Sequence, residues 1–137
     1  MSRIINTDSA GKERTRLTKA IVLAVRELAV QSEPGRESRD LTAFIILALE
    51  KIAGTIDVSV TAWEKRGYWV KADKFRMEWA WTTPLAMKMR DGLKIEDWGI
   101  IAQAAAQSAQ KLNKVTLPSG NRIGKPWVGA WEAYTQK

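Results

Sequence analysis

The chain has 137 residues, 45% of them hydrophobic, and a formal net charge of +7. That is enough for one folded domain burying about two-thirds of the surface its unfolded chain exposes. It contains neither cysteine nor histidine, which excludes disulfides, thiol nucleophiles, histidine-dependent triads and zinc sites built from those ligands.

The acidic residues stand singly, mostly beside Lys or Arg, in the pattern of a solvated surface. No catalytic, cofactor-binding or metal-ligating set emerges, and a protein that is not an enzyme is expected. The first residues, MSRIINTDSAGKERTR, lack the apolar core of a secretory signal. No apolar run approaches the roughly 18 residues that span a bilayer. A cytoplasmic protein without a membrane partner is the expectation, formed by a single helical domain over 1–137 with residues 1–12 as a flexible N-terminal arm. AGKER (10–14) lacks the upstream glycine of a phosphate-binding loop and follows no strand, so it reads as the lead into a helix.

Residues 13–31 place Leu17, Ile21, Ala24 and Leu28 on one helix face. SEPGRES (32–38) is a short connection marked by Pro34-Gly35. A second helix is expected from about Asp40, a good N-cap residue, through LTAFIILALEKIAGTIDVSVTAWEKR. Ile45, Leu49, Ile52, Ile56, Val60 and Trp63 form its apolar stripe. AFIILAL (43–49) is apolar nearly all round, as in the central helix of a bundle. Residues 52–68 are superficially similar to a helix-turn-helix repressor segment. However, Ser59 stands four residues before Trp63, where a recognition helix needs about seven. One unbroken amphipathic helix explains the stretch better.

FRMEWAW (75–81) carries large side chains at every second position. As a strand it would have no neighbour to pair with. On a helix, successive residues turn by about 100°, so Tyr68, Ala72, Phe75 and Trp79 share one face. Val70, Met77 and Trp81 fall nearly opposite. Gly67 either bends a long helix or ends the second one. Thr83-Pro84 stops this segment and starts a short helix, PLAMKMRD, closed by Gly92.

The clearest remaining helix is 95–113, with Trp98, Ala102, Ala105, Ala109 and Leu112 as its buried stripe. Residues 114–126 read as a loop or small hairpin. Pro126 opens a terminal helix in which Trp127, Trp131 and Tyr134 share a face. The fold expected is all-α, a compact bundle of four to five helices.

All seven tryptophans lie after residue 62, and five fit an apolar stripe. The exceptions are Trp69, on a polar flank, and Trp81, which shares a face with Met77. Trp69, Met77 and Trp81 are therefore the candidate interface. The positive charge falls in three blocks: +3 over residues 1–20, +3 over 63–76 and +4 over 111–125. Lys12, Arg14, Arg16, Lys65, Arg66, Lys111, Lys114, Arg122 and Lys125 are the candidate phosphate contacts. The function expected is macromolecular binding, to another protein or as a homo-oligomer. The alternative is a small basic accessory protein that contacts DNA or RNA along its phosphates.

Overall fold

The structure, a computed structural model, describes residues 7–136. Among the described residues, five longer helices and a short sixth make an all-α bundle: α1 (Thr7–Ala29), α2 (Arg36–Lys65), α3 (Trp69–Glu78), α4 (Thr82–Lys94), α5 (Trp98–Lys111) and α6 (Ala130–Thr135). Residues 7–12, assigned above to an N-terminal arm, form the first turns of α1. The rest of that arm lies outside the described residues.

The centre of the bundle is α2, which packs against α1, α3, α4 and α6, while α5 bridges α4 and α1. Its 30 residues run unbroken through the stretch that superficially resembles a repressor motif. Ala43, Ile45, Ile46, Leu49 and Ile52 are completely buried. The side chains that made AFIILAL apolar on every side thus meet neighbours on several sides. Among the described residues no helix is long and apolar enough to cross a membrane.

Gly67 ends α2. It adopts φ 80°, and its N–H and that of Tyr68 donate to the Glu64 and Trp63 carbonyls at 3.0 and 2.9 Å. That satisfies the helix's last acceptors with a left-handed residue, which glycine adopts without a Cβ penalty. The chain then reverses into α3, and Trp63 meets Phe75 edge-on with ring centroids 4.9 Å apart.

Gly92 does not close α4. It lies inside the helix, where a Cβ would come 3.1 Å from Ile100 Cγ2 and 3.2 Å from Ile101 Cγ1. Its missing side chain admits α5 at close range. The left-handed stop falls instead on Glu96, at φ 52°, and Asp97 then caps α5 by accepting from Ile100 N–H at 3.1 Å.

Asp40 is not an N-cap either, because α2 begins at Arg36. Its carboxylate accepts from Trp131 N–H at 2.9 Å and Gly129 N–H at 3.3 Å, so it caps the distant helix α6. Trp127 precedes that helix, in a turn, and is buried with its Nε1–H directed at Glu37. It therefore does not share a helix face with Trp131 and Tyr134, whose rings stack at 6.0 Å. Residues 112–129 are loop and turns without a strand.

The buried face of α5 is rotated from the expected one. Ile101, Ala104, Ala105, Ser108 and Leu112 are inside, while Ala102 is exposed. Alanine occupies nearly every side of this helix, so apolar spacing alone does not define its orientation.

Candidate functional site

The helix α3 buries one face and leaves the other open. Ala72 is fully buried, and Phe75 and Trp79 pack against the core. On the outside, Trp69, Val70 and Met77 are 60%, 69% and 77% exposed. Tyr68, expected on the Phe75 face, joins them because it precedes the helix with a non-helical backbone and so leaves the helical register. Lys65, Arg66, Lys71 and Lys74 are also exposed around this apolar strip. Lys71 holds its ammonium 4.5 Å over the Trp63 ring. Arg76 is tied to Asp73 at 2.7 Å and Glu64 at 2.9 Å.

Trp81 does not share the Met77 face. The helix ends at Glu78, and residues 79–81 form a turn. The change of direction lays the Trp81 ring on Trp79, with centroids 6.1 Å apart and planes 28° from parallel. Trp81 is half-buried against the core. Of the expected interface residues, Trp69 and Met77 remain outside and Trp81 does not. Val70 takes its place; its position seven residues before Met77 was the available signal.

Arg14, expected among the phosphate contacts, is engaged inside the fold. Its Nε donates to Thr55 Oγ1 at 3.3 Å, and its Nη2 donates to Thr55 O at 3.3 Å and Ser59 Oγ at 3.0 Å. The guanidinium lies 4.7 Å from the Phe75 centroid and 5.9 Å from that of Trp79. Burial pushes its pKa down, and the charge of Glu78 pulls it partly back; arginine stays protonated throughout. Lys12, Arg16, Lys65, Arg66, Lys111, Lys114, Arg122 and Lys125 are exposed, with Arg16 paired to Glu13 at 2.7 Å.

These groups are unevenly distributed along the bundle. The start of α1 runs beside the second half of α2, where Arg14 meets Ser59 and Glu13 meets Lys51. The end of α2 carries α3, and the chain leaving α5 passes Arg14 and Trp79. Residues 9–19, 51–81 and 111–118 therefore share one end and hold twelve Lys and Arg against five Asp and Glu. That excess equals the net charge of the whole chain. Lys125 stands apart, two residues before Trp127 at the Glu37 end, and Arg122 lies on the loop between that end and Pro118. The first and third basic blocks thus meet only in part.

Among the described residues no cluster of three or more carboxylates is placed to hold a metal ion. No family model matches the sequence, and comparison with curated proteins and with solved structures gives no match either.

Proposed function

We propose that this is a non-catalytic cytoplasmic binding protein that docks another protein on the outer face of α3. The observation that carries the reading is the cluster of Tyr68, Trp69, Val70 and Met77, all more than half exposed on one short segment. Aromatic residues and methionine are enriched at protein interfaces, and several large apolar side chains left open on one short segment are the raw material of one.

The rim selects the partner's chemistry. Lys65, Arg66, Lys71 and Lys74 are exposed on this segment, and Asp73, between Val70 and Met77, is neutralised by Arg76 at 2.7 Å. A complementary surface therefore has apolar contacts and acidic edges. A symmetric pair of identical chains would set these lysines against their own copies, and like charges across an interface oppose association. A distinct acidic protein is therefore favoured over self-association.

The test places a photo-cross-linking residue at Met77 and, separately, at the exposed Val30 and Ile95, in the living cell. A distinct protein cross-linked from position 77 alone, and lost in Lys71→Glu/Lys74→Glu, supports the reading. Cross-links only to a second copy would favour self-association instead. Equal yields from all three positions would remove the α3 face from consideration. The second reading, nucleic acid, rests on the concentration of positive charge at the α3 end. Oligonucleotide binding that persists at physiological salt and depends on Trp69 would favour it.

A further inference from the structure

A groove of about 620 Å³ opens between α1 and the chain that follows α5, away from the docking strip. One wall is Arg14, Thr15, Thr18 and Lys19; the other is the segment 114–118, and Trp79 contributes an aromatic surface. Three cations border it and, among the described residues, no carboxylate does. Among the described residues Lys19 and Lys114 form no ion pair, and Arg14 is held by hydroxyl and carbonyl oxygens and rings, with no carboxylate in contact. Arg14 is thus a partly buried cation without a directly bound counter-ion, its charge offset only partly and without contact by Glu78, an arrangement that leaves a positive local potential for an anion.

The remaining lining sets the body of the ligand. Trp79, Val115, Leu117 and Pro118 are apolar. The Trp79 Nε1–H is buried without an acceptor, which native folds generally avoid. The Thr15 and Thr18 hydroxyls donate to the carbonyls of Gly11 and Thr15, so they present lone pairs rather than protons, and anion recognition falls to the cations, with the Thr116 hydroxyl on the opposite wall. We infer that this groove binds a phosphate monoester carried on a flat apolar or aromatic body. The phosphate would lie among Arg14, Lys19 and Lys114, with the body against Trp79 and Leu117. Three cations suit a dianion better than a carboxylate, and an open apolar wall beside them gives bare phosphate no added contact.

The inference uses none of the α3 strip, so a Trp69→Ala variant should bind the same ligand unchanged. The experiment is an amide NMR titration of the whole protein with phenyl phosphate, inorganic phosphate, benzoate and phenol at physiological salt. Phenyl phosphate should saturate and shift the amides of Thr15, Thr18, Lys114, Val115 and Leu117. Inorganic phosphate and benzoate should bind about tenfold more weakly, and phenol not measurably.

Lys19→Gln/Lys114→Gln keeps both stems and should weaken phenyl phosphate binding by about tenfold or more, since charge-assisted contacts are the strong ones. Because neither lysine takes part in an ion pair among the described residues, this variant should fold normally, as circular dichroism would verify. Unchanged affinity in it would overturn the assignment. So would shifts scattered over all lysine-rich surfaces without saturation, or equal affinity for phenol.

Discussion

Arg14 lays its guanidinium over the ring of Phe75, 4.7 Å from the centroid, and in doing so joins three helices. The same group donates to the Thr55 and Ser59 oxygens of α2. A cation that pins α3 to the α1–α2 pair sets the orientation of the outer strip on α3, although it touches none of it.

Arg14→Ala should destabilise the fold by about 2–3 kcal/mol, because it removes charge-assisted hydrogen bonds and ring packing together. Arg14→Lys should recover only part of that, since an ammonium lacks the planar fork. Urea unfolding monitored by far-UV circular dichroism measures both. A lysine variant as stable as the parent would show that charge alone matters there.

The tryptophans should separate by burial. Trp127→Ala should cost about 3–5 kcal/mol, as for other buried large-to-small changes, because this ring is fully enclosed. Trp69→Ala should lie within about 0.5 kcal/mol of the parent. Trp81→Ala should cost about 2 kcal/mol by loss of its stack on Trp79; an unchanged melting temperature would place Trp81 outside the core.

Two helical glycines should respond with opposite sign. Gly54 is exposed in α2, and a Cβ there would meet nothing within 4 Å, so Gly54→Ala should stabilise by about 0.5–1 kcal/mol. Gly92→Ala meets Ile100 and Ile101 at 3.1 and 3.2 Å. Overpacking of about 1–3 kcal/mol should exceed its propensity gain. Thermal melts of the two variants should move in opposite directions.

Asp40→Ala should free the start of α6, at a cost of about 1 kcal/mol typical of a lost cap. Hydrogen exchange should accelerate at Trp131 and the residues after it, with little change in α2. Asp40→Asn should keep most of the protection, since its side-chain oxygen can still accept.

Alkaline stability should depend on Tyr134. Burial raises its phenol above the ordinary value, and the Arg90 guanidinium, 4.8 Å from the ring centroid, partly opposes this. A phenol more basic in the folded than in the unfolded chain binds its proton more tightly when folded. Its contribution is complete below the unfolded pKa, near 10, and is lost as pH rises through the folded value. Tyr134→Phe should flatten the fall in stability above that pH, measured by urea midpoints across the alkaline range.

Much of this architecture was legible in local pattern. The stripe from Ile45 to Trp63 identified α2 and its central place, because apolar residues recurring at helical spacing must be covered by something. The absence of histidine and cysteine removed whole classes of chemistry without any coordinates. Val70 and Met77 lying opposite Phe75 on α3 also followed from spacing, although Tyr68, grouped with Phe75 on the wheel, precedes the helix and is exposed.

What the pattern left undetermined depends on neighbours far away in sequence. Helical spacing relates side chains within one helix, but it says neither where the helix ends nor which way it faces its partners. Trp81 therefore joined Met77 on the helical wheel, yet a turn three residues long folds it onto Trp79. Gly92 had the sequence appearance of a helix stop and serves as a helix contact. Arg14 and Asp40 had the appearance of surface and cap residues. Their roles were decided by Thr55, Phe75 and Trp131, brought to them only when the helices packed. Burial and pairing of a charge are properties of two surfaces in contact, and only the tertiary structure supplies the second surface.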